Sequence, residues 1–282
     1  MTAPLRASPP GGDHLPTDPL HTDPMHTDPV PTDAGRNARI LAIASGKGGV
    51  GKTWFAITLA HAWARAGVRT LLVDCDLGLA NVDVQLGLMP VADIGAVASG
   101  RLPLACAVQP HQAGFDILAG RSGSGSLAAL PGTAVTQLLQ ALRAAAPDYG
   151  RVILDLGGGL DAITRRLARF ADELLVLVTD EPTSLTDAYA SLKLFAADGG
   201  SVGDARVAVN QAASRAAGER TFATLRRACA SFLQASPTLC GVVRADPHVR
   251  DAIRRQTPLL TRWPASAASL DVEAIAAALA SS

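Results

Sequence analysis

The sequence predicts one doubly wound α/β domain, a single mostly parallel sheet with helices on both faces, preceded by a tail that has no fold of its own. Three observations predict it. From Arg39 onward, short aliphatic runs alternate with longer Ala/Leu-rich amphipathic stretches, as buried parallel strands joined by crossover helices do. A glycine-rich loop links the first run to the first amphipathic stretch. Acidic and amide residues recur at the carboxyl ends of the runs, the edge of an open α/β sheet where ligands bind.

Composition agrees. The chain has 282 residues, 48% hydrophobic and 18% charged, the balance of a packed globular protein rather than a disordered one. There is no apolar run long enough for a spanning helix, and the first residues lack a hydrophobic export segment, so the expected location is cytoplasmic. Cys75, Cys106, Cys229 and Cys240 are widely separated, with no C-x-x-C pair. That excludes a disulfide framework, a zinc ribbon or a cluster-carrying motif from the sequence expectation. The 25 basic and 25 acidic residues cancel, but unevenly. Residues 1–38 carry a net charge of −3 and residues 39–282 a net charge of +3. An excess that small does not argue for sequence-independent DNA binding.

The elements follow in order. Residues 1–38 read as a disordered tail, because PTDP at 16–19, HTDP at 21–24 and 26–29, and PTD at 31–33 repeat proline every few positions and supply no core. The folded domain spans 39–282. Strands are expected at 40–44, 70–74, 115–118, 152–155, 174–179, 205–210 and 240–243. Helices are expected near 53–66, 133–146, 161–170, 184–197 and 215–234. A terminal helix over 269–282 places Val272, Ile275, Ala276 and Leu279 on one stripe, with Asp271 and Glu273 and no basic residue. That helix reads as packed on the domain rather than bound to an anionic membrane.

The loop Gly46-Lys47-Gly48-Gly49-Val50-Gly51-Lys52-Thr53 follows the first strand and opens the first helix, matching G-x-x-x-x-G-K-[ST]. Glycines let successive backbone N–H groups turn inward as a nest for phosphate oxygens. The helix start adds partial positive charge. Lys52 places a compact cation on the β- and γ-phosphates, and the Thr53 hydroxyl is a Mg²⁺ ligand. The chain has only three lysines, Lys47, Lys52 and Lys193, and two of them stand in this loop, which suggests a chemical need for lysine there.

Carboxylates supply the rest. Asp74 and Asp76 end the second strand and face the same mouth, suited to a metal shell and to orienting water; ordinary loop chemistry is the alternative. Asp155 ends the run Val152-Ile153-Leu154 and is placed to meet Mg²⁺; the alternative is a helix cap. Leu156-Gly157-Gly158-Gly159 then forms a turn able to sense a γ-phosphate. There is no N-K-x-D guanine-reading motif. Asn210, ending a strand, has an amide suited to adenine's edge, or to a turn.

The loop KGGVGKT at 47–53 resembles the deviant phosphate-binding loop of the MinD/ParA family of ATPases. The resemblance covers residues 39 to about 258. It implies a phosphate-loop NTPase fold, ATP/ADP and Mg²⁺ as cofactors, and a homodimer on ATP binding, with Lys47 reaching the partner's phosphates as an arginine finger does. It further implies that Lys47, Lys52 and Asp76 are catalytic, with Asp76 positioning water. The metal set becomes Thr53, Asp74 and Asp155. The nucleotide set becomes Gly46 through Thr53, the Trp54 backbone, Asn210, Arg244 and Asp246. Departures from the family are Trp54 for a Thr or Ser, Gly158 for the Ala of D-x-x-A-G, and Arg244 for the proline of I-P-x-D. DLGLANVDVQLGL at 76–88 and EPTSLTDAYASLK at 181–193 resemble the flagellar-number-regulator branch, FlhG or FleN, more than septum-site MinD or partitioning ParA. That branch implies an FlhF-like GTPase or a flagellar transcription activator as partner, and the membrane or cell pole as an alternative location. The tail contains no D-Q-A-x-x-L-R GTPase-stimulating element of that branch.

Overall fold

The computed structural model describes residues 39–76, 80–120 and 132–281. The expected tail lies outside the described residues, as do residues 77–79 of the second carboxylate loop. The sheet has eight strands: β1 (Arg39–Ser45), β2 (Thr70–Cys75), β3 (Gln109–Pro110), β4 (Asp116–Leu118), β5 (Arg151–Gly158), β6 (Glu173–Val178), β7 (Arg206–Ala212) and β8 (Thr238–Arg244). Their spatial order is β3-β4-β2-β5-β1-β6-β7-β8. Every pairing is parallel except β3 with β4. The helices are α1 (Lys52–Arg65), α2 (Val82–Leu86), α3 (Ile94–Ala98), α4 (Leu104–Ala107), α5 (Gly132–Ala145), α6 (Ala162–Phe170), α7 (Pro182–Ala197), α8 (Arg215–Leu233), α9 (Pro247–Arg254), α10 (Leu259–Arg262) and α11 (Ala267–Ala280).

Strand alternation builds two cores. In β1, Ile40, Ala42 and Ala44 point into one, while Leu41 and Ile43 point into the other. The first core lies under α3 to α8 and the second under α1, α2 and α9 to α11. A central strand covered on both faces has no polar side to show, which is why β1 reads as an unbroken aliphatic run. All seven expected strands and all five expected helices are present. The two-residue edge strand β3 and the helices α2, α3, α4 and α10, each of four or five residues, were not expected, because so short a segment shows no period. The eight-residue α9 also went unseen. It has a capping aspartate, Asp246, accepting from the His248 N–H at 2.9 Å, and proline at its first position.

The terminal helix α11 packs on the domain: Val272, Ile275, Ala276 and Leu279 are all buried, and Trp63 Nε1 donates to Ala276 O at 3.0 Å. Asp271 is not on its outer surface. It is 3% exposed and accepts from Arg244 N at 3.0 Å, Arg244 Nε at 2.8 Å and Arg215 Nη2 at 3.2 Å. Among the described residues, no helix is long and apolar enough to cross a membrane.

Candidate functional site

The carboxyl ends of β1, β2, β5, β6 and β7 converge on the loop between β1 and α1. Gly49 and Gly51 take positive φ of 82° and 92°, the left-handed region open to glycine without strain. Ser45 Oγ donates to Lys47 O at 2.7 Å, and Asn210 Nδ2 donates to Val50 O at 2.8 Å. These bonds hold the carbonyls outward and leave the loop N–H groups for an anion. Gly46 sits against the backbone of Asp187 in α7, where a side chain would collide. Lys52 and Thr53 open α1.

Lys52 is 8% exposed. Burial lowers its pKa, and Asp155 and then Asp76 act in the opposite direction. Asp74 and Asp155 are register partners across β2 and β5, both fully buried. Asp74 accepts from the N–H of Asp76 at 3.1 Å, Asn81 at 3.0 Å and Val82 at 3.0 Å. It therefore holds the backbone at 76, 81 and 82, a duty the sequence does not disclose. Its pKa is raised by burial against those three donors. Asp155 differs: neither of its buried oxygens has a hydrogen-bond partner within 3.5 Å, and the Thr53 hydroxyl acts on it from just outside that reach. Burial and the Asp74 charge push its pKa upward, while Lys52 and the Thr53 hydroxyl pull it down. Two unsatisfied carboxylate oxygens beside a hydroxyl and a phosphate cradle fit a hard divalent cation, which takes one or two carboxylates and completes its shell with water and phosphate oxygens.

The turn expected at 156–159 is instead mostly strand, since β5 runs on through Gly158, and Asp76 stands next to its end, with Oδ1 3.4 Å from the Cβ position of Gly157. The Cβ position of Gly158 lies 3.0 Å from the Gly48 backbone, so the end of β5 lies directly on the phosphate loop and the glycine at 158 relieves a tight contact. Lys47 points across the mouth. Its Nζ donates to Glu181 Oε2 at 2.5 Å and to Thr183 Oγ1 at 3.2 Å. Glu181 received no role from the sequence, although it lies within the quoted stretch 181–193. Its signal was there: a carboxylate just beyond a strand on the ligand side.

The adenine-side set is only partly assembled. Asn210 is 1% exposed, with Oδ1 buried and unpartnered. Arg244 is committed to Asp271 through its backbone and guanidinium. Asp246 caps α9 and also accepts from Ala268 N at 3.1 Å. Both side chains therefore hold the domain's end together, whatever they add to a ligand.

Residues 41–259 match the family model described as the CobQ/CobB/MinD/ParA nucleotide binding domain. The chain belongs to this family. Among family relatives, antiactivator FleN of Pseudomonas aeruginosa is 37% identical over 238 residues, covering 84% of this chain and 85% of that protein. The flagellum site-determining protein YlxH of Helicobacter pylori is 30% identical over 161 residues, 56% of this chain and 54% of that protein. The cell division ATPase MinD of Pyrococcus furiosus superposes with a TM-score of 0.73 at 22% identity, covering 86% of this chain and 99% of that structure; it shows the family fold. The flagellar names agree with the branch that residues 76–88 and 181–193 resemble, and septum-site relatives also belong to the family.

Proposed function

We propose that the chain is a Mg²⁺-dependent ATPase that dimerises on ATP and acts as a switch regulating flagellar number or placement. One observation carries the enzymatic part: a buried lysine and a buried carboxylate with both oxygens unpaired flank a phosphate-shaped loop. Such a pair costs stability in the empty protein, and Mg²⁺ with a triphosphate satisfies both members.

In this reading the loop amides and Lys52 bind the β- and γ-phosphates. Thr53 and Asp155 hold Mg²⁺, which when bound neutralises phosphate charge. Asp74 keeps the carboxylate loop folded so that Asp76, next to Gly157, orients the attacking water. Asn210 spends one of its two amide N–H donors on Val50 O and presents its unpartnered Oδ1 as an acceptor suited to the amino group of adenine. Lys47 leaves Glu181 to reach the phosphates of a second copy. The flagellar part is supported by the FleN and YlxH relatives, and an FlhF-like GTPase or a flagellar transcription activator is the partner in this reading. The protein is cytoplasmic, with slow hydrolysis that a partner accelerates.

The test is calorimetry and turnover with Mg²⁺ for the parent chain, Lys52→Ala and Asp76→Ala. Lys52→Ala loses nucleotide binding, while Asp76→Ala binds ATP but does not turn it over. Equal turnover by Asp76→Ala and the parent removes the role given to Asp76. For the flagellar part, deletion of the gene changes the number or position of flagella; unchanged flagellation contradicts it.

A further inference from the structure

We infer that Trp54 is the aromatic contact for the nucleobase, a positioning and specificity-determining side chain at the base end of the site. This rests on the proposed nucleotide site and adds the group that meets the base.

Trp54 lies in the first turn of α1, two residues after Lys52, so its side chain begins where the phosphate-binding amides end. The indole is only 8% exposed. Its Nε1 and Cδ1 edge stands 2.7 and 3.1 Å from the Cβ position of Gly51, and Asn210 Nδ2 stands 2.7 Å from that same position. Two side chains from separate elements therefore converge on one glycine, whose missing side chain makes room for both. Asn210 is buried with Oδ1 unpartnered, so the amide awaits a donor.

Trp54 also lines a small surface crevice with room for about one water molecule. Its other walls include Gln85 of α2, Val249 and Ile253 of α9, and Thr257, and Gln85 Oε1 is buried there without a partner. A purine base matches these groups: its π face suits an indole, and its exocyclic amino group suits an amide oxygen. Stacking tolerates any base, while the Asn210 acceptor favours a base that carries an amino group. The other two tryptophans are engaged elsewhere. Trp63 donates to Ala276 O and lies under Arg151, and Trp263 pairs with the His248 ring at 5.3 Å.

The experiment titrates the full chain with Mg-ATP and with Mg-tripolyphosphate, which has no base, by calorimetry and by tryptophan fluorescence. Trp54→Thr loses about tenfold in ATP affinity, the scale of one base–aromatic stack, and binds tripolyphosphate as the parent does. Trp54→Phe retains most of the ATP affinity but loses the fluorescence change that ATP produces in the parent. Equal affinity for ATP in the parent and Trp54→Thr overturns the proposal. So does an equal loss for both ligands, which marks a phosphate-end or folding role. Should Trp54→Thr not fold, an undiminished fluorescence response in Trp54→Phe overturns it. If the parent takes up neither ligand, the nucleotide site itself is refuted, a signature distinct from failure of the Trp54 role alone.

Discussion

Replacing Asp155 with Asn separates what the site costs from what it does. In the empty protein Asp155 holds two buried, unpartnered oxygens against the neighbouring Asp74 charge. A buried unsatisfied polar group costs about 1–3 kcal/mol, more when it is charged. Above about pH 8, the value to which burial and Asp74 push the Asp155 pKa, the carboxylate is ionised in the empty protein; with the comparison made there, Asn removes the charge and the repulsion with Asp74. It also takes one countercharge from buried Lys52, which offsets part of the gain. A net stabilisation of about 1–2 kcal/mol remains, and at roughly 2–4 °C per kcal/mol for a domain of this size the empty variant melts about 2–8 °C higher. Mg-ATP at one hundred times its dissociation constant adds about 2.7 kcal/mol to the parent and much less to the variant, so the order reverses. Scanning calorimetry with EDTA and then with Mg-ATP reads both effects. A variant that melts lower than the parent in EDTA, or that gains as much from Mg-ATP, refutes the assignment of Asp155 as a metal-holding group kept at a cost in stability.

Three further outcomes are expected. Glu181→Ala frees Lys47 from an ion pair whose members are 40% and 59% exposed; such pairs contribute about 0–1 kcal/mol, so ATP-dependent self-association strengthens by up to about fivefold in analytical ultracentrifugation, and weaker association contradicts a restraining role. Asp271→Ala leaves the Arg244 backbone N–H without its acceptor and costs about 1–3 kcal/mol in urea unfolding, while the exposed Arg244 and Arg215 guanidinium groups turn to solvent; a loss below about 0.5 kcal/mol, the scale of an ordinary surface substitution, contradicts this. Burial and the nearby Arg65 hold the His61 pKa down at about 4 against 6.5 for a free histidine. The unfolded chain therefore binds the proton first, and stability is whole above pH 6.5 and falls as pH drops toward 4. His61→Phe removes that component, and superimposable pH profiles for variant and parent argue against it.

The parallel framework was legible because β1, β2, β5, β6 and β7 are buried on both faces and so write themselves as aliphatic runs. The phosphate loop was legible because its function fixes residue types at fixed spacing. What escaped depends on contacts between distant segments. Nothing in the local sequence says that Asp74 ties residues 76, 81 and 82 together, that Lys47 rests on Glu181 some 134 positions away, or that Arg244 is held by Asp271. Nor does the local sequence show that Asp271 is buried, with Arg215 and Arg244 as its partners. Short helices such as α2 and α10 were invisible because a single turn has no periodicity to read.

The central claim is that Mg-ATP, gripped by this loop, joins two copies of the chain. Light scattering behind size exclusion, with Mg²⁺ and either ADP or a slowly hydrolysed ATP analogue, tests it most directly. The account predicts the single-chain mass with ADP, twice that mass with the analogue, and no doubling for Lys47→Ala. A single-chain mass in both nucleotides, or a doubled mass that ignores the nucleotide and Lys47, contradicts it.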